Sequence, residues 1–363
     1  MRHALRLAER GWGSVHPNPL VGAVVVQGSA VVGEGWHEVY GGPHAEVAAL
    51  NAAAGSTQGA TLYVNLEPCN HHGQTPPCTD AIAAAGIARV VFASRDSNPV
   101  AAGGSAELER NGITVTPGIE HERARALNAM FFHSQEHTTP FVTLKLALSL
   151  DGRIAQRAGA PTRLTGTEAT EEVHRLRAGF DAIMVGIGTA IADDPLLTAR
   201  GRTQPRVPAT RIVLDRDLRL PLSAALLRTV ADAPVLIVAG QEADEARATA
   251  LHDAGAVVVR VQSIDSGDLD VEGIMAALWE QDIRSILCEG GGRVASSLMS
   301  AAAVHRLTLL YTPVLLGPDA VPAFNLHGPL PLDPARWSAP RVRAHGHDVE
   351  VTFDRRFGTD SGD

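Results

Sequence analysis

His44, Cys69 and Cys78 restrict the fold of this chain more than any other feature, because they can serve one metal ion only if the segments carrying them meet at a point. One imidazole with two thiolates suits zinc and leaves a fourth position for water, the arrangement of a catalytic rather than a closed structural site. The ion lowers the pKa of that water toward neutrality. Glu46 stands two residues after His44, at the start of a helix. A carboxylate there that does not bind the metal can take the water proton and pass it to a leaving amine. The arrangement resembles a His-x-Glu followed by Pro-Cys-x-x-Cys, a pattern that holds a catalytic zinc with a non-ligand glutamate beside it. Here eight residues, Asn70 to Pro77, separate the cysteines rather than two, so the insert must bulge for both sulfurs to reach one ion. His71 or His72 stands open as a replacement ligand, although both cysteines follow proline in matching settings. Taken singly, a His-x-Glu is common and two cysteines can be buried apolar thiols. The conjunction in this order, after Leu66-Glu67-Pro68, points to chemistry.

Strand and helix patterns alternate almost throughout, which predicts an α/β protein with mostly parallel pairing. Apolar runs at Val21–Val26, Ala30–Gly35, Thr61–Leu66, Arg89–Ala93 and Ile113–Thr116 read as strands. Helices are expected over Met1–Gly11, Ala45–Ala53, Thr79–Ala85, Glu107–Arg110 and Glu122–Phe131. With 363 residues the chain is too long for one ordinary core. The polar stretch His133–Pro140 interrupts the pattern, and the domain boundary is expected there, between residues 1–137 and 138–363. Beyond it, strands are expected near Phe141–Leu146, Ala182–Val185, Arg211–Leu214, Val235–Val238, Val257–Val261 and Ser285–Cys288, with helices such as Ala243–Asp253 and Val271–Gln281 between them. Gly358–Asp363 reads as an unstructured tail.

The formal net charge is −9, and no basic patch stands out. A nucleic-acid partner is therefore disfavoured and a small-molecule substrate expected. No apolar run reaches the length of a membrane span. The N-terminal segment lacks the apolar core and cleavage site of a signal peptide, so the cytoplasm is the expected location. Three cysteines, an odd number, argue against a disulfide framework and for metal or catalytic duty.

Three segments carry a closer resemblance: His16-Pro-Asn-Pro-Leu-Val-Gly-Ala-Val-Val-Val26, Gly41-Gly-Pro-His-Ala-Glu46, and Leu66-Glu-Pro-Cys-Asn-His-His-Gly-Gln-Thr-Pro-Pro-Cys78. Together they resemble the bacterial bifunctional riboflavin-biosynthesis deaminase–reductases. The resemblance implies a cytidine-deaminase-like three-layer α/β/α domain over residues 1–137 and a dihydrofolate-reductase-like α/β domain over residues 138–363. It also implies zinc and NADPH as cofactors. The first implied reaction is hydrolytic deamination of 2,5-diamino-6-(5-phosphoribosylamino)pyrimidin-4-one, and the second is reduction of the ribosyl side chain to ribityl. Asn18 then resembles a substrate contact, while its own setting between two prolines equally suits a turn. His71 looks more like a substrate or phosphate contact than a ligand. Family members associate, so a homodimer is an expected assembly.

In the second half, Val185-Gly-Ile-Gly-Thr189 has only two of the three glycines of a dinucleotide fingerprint, which does not support a Rossmann site. Cys288-Glu-Gly-Gly-Gly-Arg293 follows a strand and opens a helix, where free N–H groups can receive a pyrophosphate; a tight turn needing glycine for packing is the competing explanation. By resemblance, Ala147, Thr189, Asp193, Gly291, Gly292, Arg293, Val294, Ala295, Ser296 and Ser297 are expected to contact NADPH. Arg177, Leu197, Arg200 and Glu289 are expected to contact substrate, the arginines toward its phosphate. For Arg177 a surface ion pair is the alternative.

The family's Ser-x-Trp-Ile-Thr/Ser segment is replaced here by Ala160-Pro161-Thr162-Arg163-Leu164-Thr165, and Arg216 falls where a serine often follows the Leu-Asp strand end. Proline cannot donate a hydrogen bond, and arginine does not offer the flat apolar surface of tryptophan. A deaminase with an impaired or altered reductase is therefore a competing expectation. A nucleic-acid-editing zinc deaminase would share the metal chemistry, but it needs a cationic strand channel. A binding protein with structural zinc would have no use for Glu46.

Overall fold

The structure is a computed structural model that describes residues 1–73, 76–326 and 334–356. The expected tail at Gly358–Asp363 and two residues of the cysteine insert, Gln74 and Thr75, lie outside the described residues. The chain divides into two compact units, Met1–His137 and Thr138–Asp363.

The first unit runs α1 (Arg2–Ala8), β1 (Gly22–Gln27), β2 (Ala30–Trp36), α2 (Ala45–Ala52), β3 (Thr61–Leu66), α3 (Cys78–Ala84), β4 (Arg89–Ser94), α4 (Gly104–Arg110), β5 (Thr114–Thr116), α5 (His121–Leu127) and α6 (Ala129–Glu136). Its sheet has the order β2-β1-β3-β4-β5. The first two pairings are antiparallel and the last two parallel. Side chains alternate across it with the two-residue period of a strand. Ala23, Val25, Leu62 and Val64 face α2 and α3, whereas Val24 and Tyr63 face α1. Helices on both faces give three layers.

Sequence detail sets the spacing of those layers. A Cβ on Gly35 of β2 would lie 2.4 Å from the Ala49 nitrogen and 2.6 Å from the Ala45 carbonyl oxygen, so only glycine lets α2 rest directly on the strand. This contact fixes the start of α2, which carries His44 as N-cap and Glu46 in its first turn.

One expected helix is two. The apolar pattern over Glu122–Phe131 breaks at Asn128, between α5 and α6. The Asn128 side chain is committed elsewhere: its Oδ1 accepts from the Leu20 N–H at 2.8 Å, and its Nδ2 donates to the Leu20 carbonyl at 2.9 Å. The second helix continues to Glu136, so the polar stretch at the expected boundary is partly helical.

The second unit runs β6 (Phe141–Ser149), β7 (Arg153–Ala155), α7 (Thr167–Arg177), β8 (Ala182–Gly186), α8 (Ile187–Asp193), β9 (Thr210–Leu214), α9 (Ala225–Arg228), β10 (Val235–Gly240), α10 (Glu245–Asp253), β11 (Val257–Val261), α11 (Val271–Glu280), β12 (Ser285–Cys288), α12 (Gly292–Ser300), β13 (Arg306–Thr312), β14 (Val321–Pro322), β15 (Arg341–His345) and β16 (Asp348–Asp354). The large sheet is ordered β11-β10-β9-β8-β12-β6-β13-β16-β15. From β11 through β13 all pairings are parallel, and β16 and β15 close it as an antiparallel hairpin.

That hairpin lies beyond the last strand the sequence pattern predicts, and its burial explains why. In β16 the polar residues Asp348, Glu350 and Thr352 are buried while Val349 is exposed. The alternation is inverted, and a hydrophobic-pattern reading misses it. Asp348 is satisfied inside by the Gly166 N–H at 2.7 Å. In β9, Arg211 is fully buried and donates to the carbonyls of Leu226 at 3.0 Å, Thr229 at 2.9 Å and Leu196 at 3.3 Å, tying residues on both sides of β9 in the chain to the sheet.

Gly35→Ala should destabilise the first unit by about 1–3 kcal/mol, because overpacking pushes α2 off β2. Denaturant unfolding followed by circular dichroism measures this, and an unchanged midpoint would show that α2 does not rest on the strand.

Candidate active site

In the first unit the three ligand candidates come from three places: the N-cap of α2, the loop after β3 and the first residue of α3. Their ligand atoms all lie within 4.8 Å of one another. His44 Nδ1 is 3.1 Å from Cys78 Sγ and 3.4 Å from Cys69 Sγ. Ordinary zinc–nitrogen and zinc–sulfur bond lengths at tetrahedral angles put such atoms about 3.6 Å apart, so the donor set fits zinc. The Cys78 thiol and His44 hydrogen-bond to Cys69 and, against the effect of burial, hold the Cys69 thiol down to about 4. The bond to Cys69, together with burial, raises the Cys78 thiol.

Glu46 is buried at 3% exposure, and burial pushes its carboxyl up to about 7. Near neutrality such a group both accepts and returns a proton. Around it is a cleft of about 290 Å³, lined by Asn18, His37, His44, Glu46, Cys69, His71, Asp96, Asn98 and Phe131 among others. Asn18 therefore lies in the cleft, hydrogen-bonded to His37 at 3.2 Å, while His37 Nδ1 donates to the Pro43 carbonyl at 3.1 Å. His71 lines the cleft and is not among the clustered ligand atoms; its Nδ1 is buried without a hydrogen-bond partner among the described residues. His37, Asp96 and Asn98 escaped the sequence reading. No motif singles them out, and only the fold brings them to the metal ligands.

The second unit holds a larger pocket of about 670 Å³ at the C-terminal ends of β6, β12, β8 and β9. Ala147, Thr189, Asp193, Gly291, Gly292, Arg293, Val294 and Ser297 line it, as do Arg177, Leu197 and Glu289. Three expected contacts do not. Ala295 is fully buried in the core, and Ser296 turns inward to bond the Gly292 carbonyl at 2.6 Å. A helix rotates about 100° per residue, so a continuous run from 291 to 297 cannot all face one ligand. Arg200 is exposed outside the lining, its backbone N–H held by His174 Nδ1 at 3.2 Å.

The glycine turn serves packing and space at once. A Cβ on Gly290 would meet Val294 at 2.9 Å, and one on Gly292 the Pro322 carbonyl at 2.7 Å, whereas Gly188 faces open space. The N-cap of α12, Gly291, has no side-chain cap, which suits a cradle for a pyrophosphate. Arg177 makes no surface pair with Glu171 or Glu172. It grips Glu289 with two bonds of 2.6 and 3.0 Å, and Lys145 approaches the same carboxylate at 3.5 Å. Burial alone would raise the Glu289 carboxyl, but Arg177 and then Lys145 overcome it and hold it down at about 2. Lys145, a buried cation the sequence reading passed over, is pushed below its usual range by burial. The loop that departs from the family pattern also lines the pocket, through Arg157 to Ala160 and Thr162, whereas Pro161 and Arg163 stand outside the lining.

Among the described residues no helix is long and apolar enough to cross a membrane. A family model for the "RibD C-terminal domain" matches residues 140–351, and one for the "Cytidine and deoxycytidylate deaminase zinc-binding region" matches residues 1–94. The riboflavin biosynthesis protein RibD of Aquifex aeolicus is 41% identical, the match covering 87% of each chain. That of Escherichia coli K12 is 38% identical over 96% of each. The solved structure of Acinetobacter baumannii RibD superposes with a TM-score of 0.81 at 34% identity, covering 98% of both chains. A Thermotoga maritima diaminohydroxyphosphoribosylaminopyrimidine deaminase/5-amino-6-(5-phosphoribosylamino)uracil reductase gives 0.79 at 33%, covering 98% of this chain and 97% of its own. With a cytidine-deaminase-like zinc unit and a reductase unit of the NADPH-using type, the chain belongs to the RibD family of bifunctional deaminase–reductases of riboflavin biosynthesis.

Proposed function

We propose that the first unit deaminates 2,5-diamino-6-(5-phosphoribosylamino)pyrimidin-4-one and that the second reduces the ribosyl side chain of the product to ribityl. The observation that carries the first assignment is the meeting of His44, Cys69, Cys78 and the buried Glu46 in one cleft. His44, Cys69 and Cys78 would hold the zinc, which when bound would supply a water of lowered pKa as the nucleophile. Glu46 takes the proton that water gives up and delivers it to the departing amino nitrogen, which leaves as ammonia. Asn18, His37, His71, Asp96 and Asn98 supply the polar wall that orients the pyrimidine and its substituents.

In the second unit the hydride for C1′ of the sugar would come from NADPH when bound. Gly290 to Arg293 and the start of α12 would hold its pyrophosphate, and Ala147, Thr189, Asp193, Val294 and Ser297 line the same pocket. Arg177 acts by fixing Glu289, and Lys145 beside it is placed to hydrogen-bond the sugar and give up a proton. Leu197 borders the substrate. Because Pro161 and Arg163 lie outside the lining, an active reductase is favoured over an impaired one.

A cytoplasmic location and a homodimer belong to the same reading. All three cysteines are free thiols. On β15 and β16, Val342 and Val349 stay exposed at 62% and 38%, an apolar strip a second copy could cover. Sedimentation equilibrium tests the dimer.

Incubation with the diaminopyrimidine phosphate and NADPH, followed by mass, should give the deaminated and then the ribityl product; no change in mass would overturn the substrate. Glu46→Gln should lower deamination about 10²-fold or more with zinc content unchanged, whereas Cys78→Ser should lose the zinc itself, as metal analysis would report. Full turnover by the Glu46 variant would remove it from the proton path. Glu289→Gln leaves Arg177 and Lys145 buried without their carboxylate and should cost about 3–5 kcal/mol near neutrality. The folded carboxyl sits at about 2 against an ordinary 4.5, so its contribution is complete above the ordinary value and is lost as pH falls toward 2. The stability gap between wild type and variant should therefore narrow as unfolding is measured at progressively more acid pH, and a constant gap would contradict the ion cluster.

A further inference from the structure

Glu67 follows β3 directly and stands two residues before Cys69, in the lining of the deaminase cleft. The proton path through Glu46 makes no use of it. Its carboxylate is buried, and among the described residues its partners are neutral donors rather than a cation. Oε1 accepts from the Ser105 N–H at 2.9 Å and from the Ser105 hydroxyl at 2.6 Å, and Oε2 accepts from the Asp96 N–H at 3.3 Å. A buried carboxylate must be satisfied by hydrogen bonds, and such charge-assisted bonds are roughly twice as strong as neutral ones. Every one of these donors comes from a single stretch of chain, between the end of β4 and the first turn of α4.

That stretch supplies Asp96, Asn98 and Ala101 to the cleft. It is folded on itself. Asp96 Oδ1 accepts from the Asn98 N–H at 2.9 Å, Asn98 Oδ1 from the Val100 N–H at 3.0 Å, and the Asn98 carbonyl from the Ala101 N–H at 3.0 Å. Asp96 Oδ2 and Asn98 Nδ2 take no partner among the described residues and are left for a ligand. Where this turn sits depends on what ties it to the rest of the unit. Glu67 holds it at both ends, through Asp96 and Ser105, and between them the Asn70 N–H donates to the Ala101 carbonyl at 3.2 Å. Gly104 permits the close approach, since a Cβ there would lie 1.8 Å from the Pro68 carbonyl oxygen. The cysteines have ties of their own: the Thr79 N–H reaches the Cys69 carbonyl at 3.4 Å, and the Thr79 hydroxyl bonds Asn70 Oδ1 at 3.0 Å. Loss of the Glu67 carboxylate therefore loosens the wall while the metal ligands keep their support.

We propose that Glu67 is a positioning residue of the deaminase, a clasp that sets Asp96 and Asn98 where they receive the pyrimidine. It acts through those two side chains and takes no part in proton transfer. This rests on the reading of the cleft as the deaminase site. The test is steady-state deamination of the diaminopyrimidine phosphate by the full, zinc-loaded chain, with metal analysis and thermal melting of each variant. Glu67→Gln sets an amide donor against one of the N–H donors. KM should rise about 10-fold or more, with kcat within about 3-fold and zinc content unchanged. That split marks the loss of an interaction made equally in the ground and transition states. Ser105 lies outside the cleft lining, so Ser105→Ala weakens the clasp from behind. It should raise KM in the same sense by about 3-fold, and the double variant should lose little more than Glu67→Gln alone. A lower melting temperature with KM and kcat unchanged would overturn the proposal and leave Glu67 a purely structural carboxylate. Loss of zinc from Glu67→Gln, or a fall in kcat with KM unchanged, would overturn it as well. An unaltered KM in Ser105→Ala would overturn the clasp even if Glu67→Gln fails to fold or raises KM, because Glu67 would then act other than through the wall. Wild type with no deamination would instead bring down the substrate reading of the cleft.

Discussion

In both units the chemistry depends on where helices begin against the C-terminal ends of parallel strands. The loop after β3 and the starts of α2 and α3 bring His44, Glu46, Cys69 and Cys78 together; the turn from β12 into α12 forms the floor of the second pocket. Chain entering a helix has unused backbone N–H groups and a fixed direction, so a side chain there is aimed rather than merely present. The aim is as good as the packing behind it. Gly35 lets α2 lie on β2, and Gly290 and Gly292 let α12 close on its neighbours, so residues that touch no ligand set the geometry of those that do.

The two sites use burial in opposite senses. At Glu46, burial raises a lone carboxyl toward neutrality, which suits proton transfer. At Glu289, two buried cations defeat the same tendency and keep the carboxylate ionised. One group is poised to change state and the other is held in one state, and what separates them is the neighbours each was given.

Some of this was open to inspection in the sequence. His44, Glu46, Cys69 and Cys78 could be named because their spacing is local and their residue types are suited to few tasks. The alternation of strand and helix gave the α/β class, since periodicity is a property of short windows. Other parts stayed hidden for definite reasons. The hairpin β15–β16 buries Asp348, Glu350 and Thr352 and exposes valine, so the usual pattern is reversed. Asn128 splits an expected helix because its side chain serves Leu20, over a hundred residues earlier in the chain. The resemblance carries the whole run from Gly291 to Ser297 to the cofactor, but the turn of α12 puts Ala295 in the core and aims Ser296 at the Gly292 carbonyl.

By itself the sequence determined the class of the fold, the zinc ligands as a candidate set and the position of the candidate proton carrier, because these follow from residue chemistry at short range. Tertiary structure alone decided that His37, Asp96 and Asn98 join that cleft, that Arg177 grips Glu289 rather than a surface neighbour, and that Lys145 is buried beside them. Those contacts join residues from β6, α7 and the end of β12, and strand order is set by packing across the whole sheet. No window of sequence contains that order, so the charge each group carries could be read only once its neighbours were in place.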